Sequence, residues 1–227
     1  MKNINLAMAA VTAITLTCSE AAMAIEEPPF EVIEKAENIE IRQYRPFIVA
    51  ETLVEGDMDA ASNAGFRLIA GYIFGNNLSV KGPGDQASEK IAMTAPVTVQ
   101  PAGASEKIAM TAPVTIEPQN DSDGKAMQAS RWRVHFVMPG EYSLATLPRP
   151  RNPAVTLREV PGKRYAALIF SGLVGDAKAQ QKTAELLSWL QARKLTPAAP
   201  PQLARYDPPW TLPFFRRNEI LIEIAAP

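Results

Sequence analysis

The order strand, turn, strand, Gly-Asp, helix occurs twice along this chain, at 39–74 and again at 155–193, and it constrains the fold more than any other feature. In the first pass Ile39-Glu40-Ile41-Arg42-Gln43-Tyr44 alternates apolar and polar, as a half-buried strand does. Phe47 to Val54 reads as a more buried strand after the Arg45-Pro46 break. Gly56-Asp57 marks a turn, and Asp57 or Asp59 can cap the helix predicted over Met58–Phe74, where Ala61, Ala64, Leu68 and Ile69 recur at helical spacing. Gly75-Asn76-Asn77 stops it. In the second pass Val155–Val160 and Tyr165–Phe170 read as strands around Pro161-Gly162. Gly175-Asp176 then opens a helix over Ala177–Arg193, with Leu186, Leu187 and Leu190 as its apolar stripe. Ile39/Val155, Ile41/Leu157 and Arg42/Arg158 correspond between the passes. Further strands are expected at Phe30–Glu34, Trp132–Met138, Leu203–Tyr206 and Glu219–Ile224. Strands outnumber helices and do not alternate with them, which argues against a doubly wound parallel sheet. The expected class is α+β: a pseudo-twofold repeat in which two helices pack on a distorted, mostly antiparallel β-sheet that curls toward an open barrel.

A second repetition is local. Residues 87–98 and 104–115 both read ASEKIAMTAPVT, at an offset of 17. The spacing predicts two strand-like arms joined by Gln100-Pro101-Ala102-Gly103, with Pro96 and Pro113, which lack an N–H, at an edge or bulge. Two units are too few for a solenoid. Residues 118–128 are polar and rich in breakers, a loop.

The first residues read as an address. Lys2 precedes an uncharged stretch from Ile4 to Thr17, and Ala22-Met23-Ala24 fits a small-x-small cleavage site. The expectation is a signal peptide over 1–24 and a single domain over 25–227, exported, and periplasmic in a Gram-negative bacterium. The apolar stretch is shorter than the ~20 residues a membrane span needs, so no stable anchor is expected. Thr17 ahead of Cys18 does not suit a lipidation signal. Cys18 is the only cysteine, so removal of the leader leaves no disulfide or thiol chemistry. One histidine, His135, excludes clustered Cys/His metal sites. A net charge of −1 provides no global field for nucleic acid. No G-x-S-x-G elbow, G-x-G-x-x-G or Walker loop is present, and no enzyme is indicated.

Three features are chemically suggestive. On the alternation of its strand His135 shares a face with Arg131 and Arg133, opposite Trp132 and Phe136, and reads as a surface or groove residue; iron ligand and base are the functional alternatives. The aromatic-proline stretch 206–219 reads as a lid folded over the core, or as the wall of an apolar pocket with Arg216 and Arg217 toward a ligand carboxylate. Met93 and Met110 are core fillers or soft pocket walls.

The segment IAMTAPVT, FVMP at Phe136–Pro139, YDPP followed by RRNE within 206–219, and IEIRQY at 39–44 together resemble the SOUL haem-binding protein family, over about residues 25–226. The resemblance implies a distorted barrel of two similar halves with two helices, and non-enzymatic, reversible binding of haem or other tetrapyrroles. It also implies a porphyrin lying against the apolar face of the first helix. Asn63, Phe66, Ala70 and Ile73 are then pocket candidates, with Phe170 and Leu173 as the opposite wall. A first-half histidine considered as iron ligand in that family has no counterpart here, which leaves His135 as the one candidate axial ligand. A cleft holding the porphyrin by its faces, with an arginine on a propionate, is the resulting expectation. The two-half architecture also resembles GyrI-like effector-binding domains. A module for other apolar small molecules is therefore the alternative, and a hydrolase or haem-modifying enzyme on the same scaffold a third. The oligomeric state is not legible.

Overall fold

The computed structural model describes residues 26–80, 87–101, 129–207 and 210–225. The expected leader and the second copy of ASEKIAMTAPVT lie outside the described residues. Eleven strands and two helices follow in the order β1 (Phe30–Ala36), β2 (Ile39–Tyr44), β3 (Phe47–Glu55), α1 (Met58–Ile73), β4 (Asn77–Leu78), β5 (Val97–Pro101), β6 (Arg131–Val137), β7 (Arg149–Pro150), β8 (Thr156–Val160), β9 (Arg164–Ser171), α2 (Asp176–Ala192), β10 (Gln202–Arg205) and β11 (Arg217–Glu223). The predicted helices and long strands are present, with ends displaced by one or two residues. Asp57 is the α1 cap: its Oδ1 accepts from the Ala60 amide at 2.7 Å.

Nine strands form one sheet in the order β1-β2-β9-β11-β10-β5-β6-β3-β8, every neighbouring pair antiparallel. Leaving β1 aside, this order reads as a palindrome of two halves, β2-β3-α1-β5-β6 and β8-β9-α2-β10-β11. Each half gives its first strand to the other: β2 pairs with β9, and β8 pairs with β3. Only Arg45 and Pro46 separate β2 from β3, yet those strands lie near opposite ends of the sheet. A two-residue link cannot cross a flat sheet of that width, because adjacent strands are ~4.8 Å apart. The sheet must therefore curl until its ends approach. The links meet at that point: the Tyr44 amide donates to Lys163 O at 2.9 Å, and a Cβ on Gly162 would stand 3.0 Å from Tyr44 O. Glycine is what allows the two links to cross.

Alternation sorts the side chains. The convex face carries the main core: Ile39 and Ile41 of β2, Val134 and Phe136 of β6, Leu168 of β9 and Ile220 of β11 pack with α1 and α2. At Gly65 an added Cβ would lie 2.6 Å from Val134, so α1 closes onto β6 there with no room for a side chain. The concave face carries smaller clusters, one around Tyr44, Tyr165 and Leu221 and one around Val49, Val137 and Val160. No helix among the described residues is long and apolar enough to cross a membrane.

The first copy of the duplicated segment differs from the expected pair of arms. Only Val97–Pro101 is a strand, and residues 87–96 run without regular structure. They are nevertheless held: the Ile91 amide donates to Ile73 O at 2.9 Å, and Asn77 bonds Glu89 through both its side-chain oxygen and its nitrogen. Pro96 stands just outside β5, which is an interior strand and not an edge. Its missing N–H is thus never required by the ladder. The aromatic stretch differs too. Trp210 is 82% exposed, and Leu212, Phe214 and Phe215 are exposed. These four side chains do not form a lid over the core; they stand in solvent past the last β10–β11 pair, Arg205↔Asn218.

Candidate functional site

Among the described residues no helix packs on the concave face, and its two ends are built differently. Toward β2, β9 and β11 the face is filled by ion pairs. The Glu219 carboxylate, fully buried, accepts from Arg42 Nη1 at 2.8 Å and Nη2 at 3.1 Å, from Arg217 Nη2 at 2.8 Å, and from Tyr206 Oη at 2.7 Å. Arg42 Nε also donates to Glu40 at 2.8 Å, and the guanidinium lies 4.5 Å from the centre of the Phe30 ring. Burial works against the charge on Arg42, but the Glu219 contacts outweigh it and hold the guanidinium charged, its pKa raised. Burial pushes the Tyr206 hydroxyl up, and Glu219 pushes it further.

Over β3, β5, β6 and β8, and reaching the Tyr165 end of β9 and Leu221 of β11, the same face is open, as a cleft of about 250 Å³. Phe47, Val137, Val160, Tyr165 and Leu221 supply apolar walls, and Arg133, Arg158 and Lys163 line it with positive charge. The register aligns Thr98 of β5 and Glu51 of β3 with His135 on either side of β6. Arg158 holds Glu51 through Nε at 3.0 Å and Nη2 at 2.8 Å. Burial pushes Glu51 up, but that hydrogen bond and the nearby arginines prevail and keep it below its usual value. Lys163 is paired with Glu223 at 2.8 Å.

Two cleft residues are less committed. His135 is 7% exposed and its Nδ1 is buried without a hydrogen-bond partner. Burial pushes its pKa down to about 4, with Glu51 opposing, so the imidazole is neutral near pH 7. Arg133 Nε is likewise buried without a hydrogen bond, lying 3.7 Å from Glu51, too far for one. A neutral imidazole and an underused guanidinium thus stand two residues apart on one strand. A second hollow, of about 370 Å³, adjoins the cleft and shares Pro28, Phe47 and Val137 with it.

The helix-side residues singled out by the family resemblance are placed as follows. Ile73 and Ala70 are buried beneath α1, with Ile73 wholly inside the main core. Asn63 is exposed, and Phe66 stands at the border of the core, its ring 5.5 Å from that of Phe136. Phe170 is half-buried under the Lys178 and Lys182 ammonium groups, and Leu173 is exposed. Phe170 lies in β9 and Leu173 between β9 and α2, whereas the first four belong to α1. Met93 is exposed, and Met110 lies outside the described residues. The cleft residues Arg158 and Tyr165, and Glu51 bonded to Arg158 beside them, were not singled out from the sequence as site residues. Strand parity was the available signal, since each occupies the polar or variable face of its strand, but parity does not tell which strands become neighbours. Among the described residues no group of three or more His, Cys, Asp or Glu could hold a metal ion.

A family model described as "SOUL heme-binding protein" matches the chain over residues 25–104 and 101–223. Each matched segment contains one full copy of ASEKIAMTAPVT. No curated protein matches the chain. Among solved structures, the C-terminal domain of EcmrR aligns with a TM-score of 0.54 at 11% identity, covering 83% of this chain and 98% of that one. A hydrolase from Listeria innocua aligns at 0.51 and 12%, covering 85% and 94%. An uncharacterized conserved protein from Listeria innocua aligns at 0.50 and 12%, covering 83% and 92%. At such identities the likeness is one of fold.

Proposed function

The chain belongs to the SOUL heme-binding protein family, and we propose that its concave-face cleft binds a tetrapyrrole, haem first among them, without converting it. The observation that carries this reading is the pair on β6. Arg133 Nε and His135 Nδ1 are buried polar atoms without hydrogen-bond partners, in a cleft otherwise walled by aromatic and aliphatic side chains. Leaving such atoms unpaired is costly in a finished core and is common where a ligand completes the set.

The roles follow from the chemistry. Phe47, Tyr165 and Leu221 offer faces to a flat ring, Arg133 meets a carboxylate, and the neutral His135 suits the iron of haem. At about 250 Å³ the cleft cannot enclose so large a ligand, so one edge of the ring stands in solvent. Burying about 200 Å² of ring contributes about 5 kcal/mol before the cost of association. The leader expected over 1–24 goes with this proposal: the working protein is exported and begins near Ile25.

Titration with hemin and with iron-free protoporphyrin tests the reading by absorbance. Saturable binding of both is expected, weakened about tenfold by Arg133→Ala. His135→Ala should alter the Soret band of the hemin complex alone. If Phe66→Ala and Leu173→Ala abolish binding while Arg133→Ala does not, the site belongs on the helix side. No saturable binding up to high micromolar hemin, or displacement by lipophilic cations alone, ends the tetrapyrrole reading.

A further inference from the structure

The cleft and its neighbouring hollow meet at one short segment. Glu26, Glu27, Pro28 and Pro29 line the second hollow, and Pro28 lines the first as well. The segment crosses the concave face before entering β1, fastened by four described contacts. Glu26 O accepts from the Ala95 amide at 3.0 Å, and Glu26 Oε1 accepts from the Gly140 amide at 2.8 Å. Glu27 pairs with Arg217 at 2.9 Å, and Pro29 O accepts from the Arg45 amide at 3.1 Å. Pro28 is buried, but none of the four residues belongs to an apolar core cluster. A short segment held by one buried proline and a few polar contacts opens at lower cost than the sheet beneath it.

Its chemistry matches what the trough would hold. Two carboxylates stand beside two prolines, an acidic and apolar combination like that of a dicarboxylate with an apolar body. One carboxylate rests on the Gly140 N–H and the other on Arg217. We propose that Glu26–Pro29 is a displaceable strap across one continuous trough, and that a ligand bearing two carboxylates removes it, with one carboxylate taking over the Gly140 N–H and the other meeting Arg133. The inference rests on the concave-face reading of the site. The two hollows, about 250 and 370 Å³, become one trough once the strap leaves, well within the range of roughly 300–1,000 Å³ usual for ligand pockets. Binding through a minor open state weakens the apparent affinity by the fraction of molecules open, so loosening the strap strengthens binding.

Two measurements test it. The first uses the ligand-free protein and amide hydrogen exchange. The Ala95 and Arg45 amides, which donate to the strap, should exchange at least about tenfold faster than the Met138 amide, which donates to Ile48 O within the sheet. Exchange of all three at one common rate overturns the strap. The second is hemin titration of Glu26→Ala/Glu27→Ala and of Pro28→Gly, the latter leaving charge unchanged. Both should bind about tenfold more tightly than the unmodified chain. Saturation of the unmodified chain should also lower the protection of the Ala95 and Arg45 amides. Unchanged protection, or a gain confined to the double glutamate variant and lost at high salt, overturns the strap while leaving the cleft in place. Absence of hemin binding in every variant sinks the tetrapyrrole reading, and the ligand-free exchange still decides the strap.

Discussion

Arg42 and Arg158 hold corresponding positions in the two halves, facing Tyr165 of β9 and Val49 of β3 across equivalent strand pairs. Their fates diverge. The Arg42 side chain is 1% exposed, bound to two glutamates and covered by Phe30. The Arg158 side chain is 41% exposed and bound to Glu51. The difference has a visible cause: β1 continues the sheet beyond β2 and brings Phe30 over the ion pairs, whereas among the described residues no strand continues it beyond β8. One half of the concave face has been closed and made structural, and the other left open. This asymmetry, as much as any single residue, supports ligand binding in the open half.

The comparison can be broken at its closed end first. Glu219→Ala would leave Arg42 buried beside an empty space, and a loss of about 3–5 kcal/mol in urea unfolding is expected. A loss below 1 kcal/mol would mean that the closed half is not what stabilises the fold. The open half responds to pH. His135 titrates near 4 in the folded chain against an ordinary 6.5, so between those values the unfolded chain binds more protons. Stability from this group is therefore complete above about pH 6.5 and falls with acidification, by about 2 kcal/mol at pH 5. His135→Gln should remove that slope, measured as the shift in urea midpoint between pH 7 and pH 5. The smallest effect is expected at Arg158→Ala. An exposed pair is worth less than about 1 kcal/mol, so stability should barely change while hemin affinity falls. Equal losses of stability at Arg158 and Glu219 would erase the contrast between the halves.

Much of the fold was legible because it depends on local period. Alternation located β2, β3, β6 and β9, and 3.6-residue spacing located both helices. The exchange of β2 and β8 between halves was not legible. Pattern shows which face of a strand is apolar, but a strand flanked by any partner shows the same pattern. The site suffered from the same limit. His135, Glu51 and Arg158 are distant in sequence and become neighbours only through pairing order. The apolar face of α1 was legible as apolar, but its period could not tell whether a ligand or the sheet covers it, and Ile73 is covered by the core. The strap at Glu26–Pro29 has no periodicity at all, and its meaning lies in the distant amides of Ala95 and Gly140.

The crossing of the two links beside Gly162 reaches beyond shape. Because each half lends its opening strand to the other, neither can close its own hydrogen-bond ladder, and the earliest strands to emerge from synthesis must wait for the latest. Such a chain folds late and all at once, with the slow rate that distant pairings impose. Severed in the connection between β6 and β8, it would yield two fragments that are incomplete apart and complementary together, a natural split reporter whose reassembly would signal that both pieces had met.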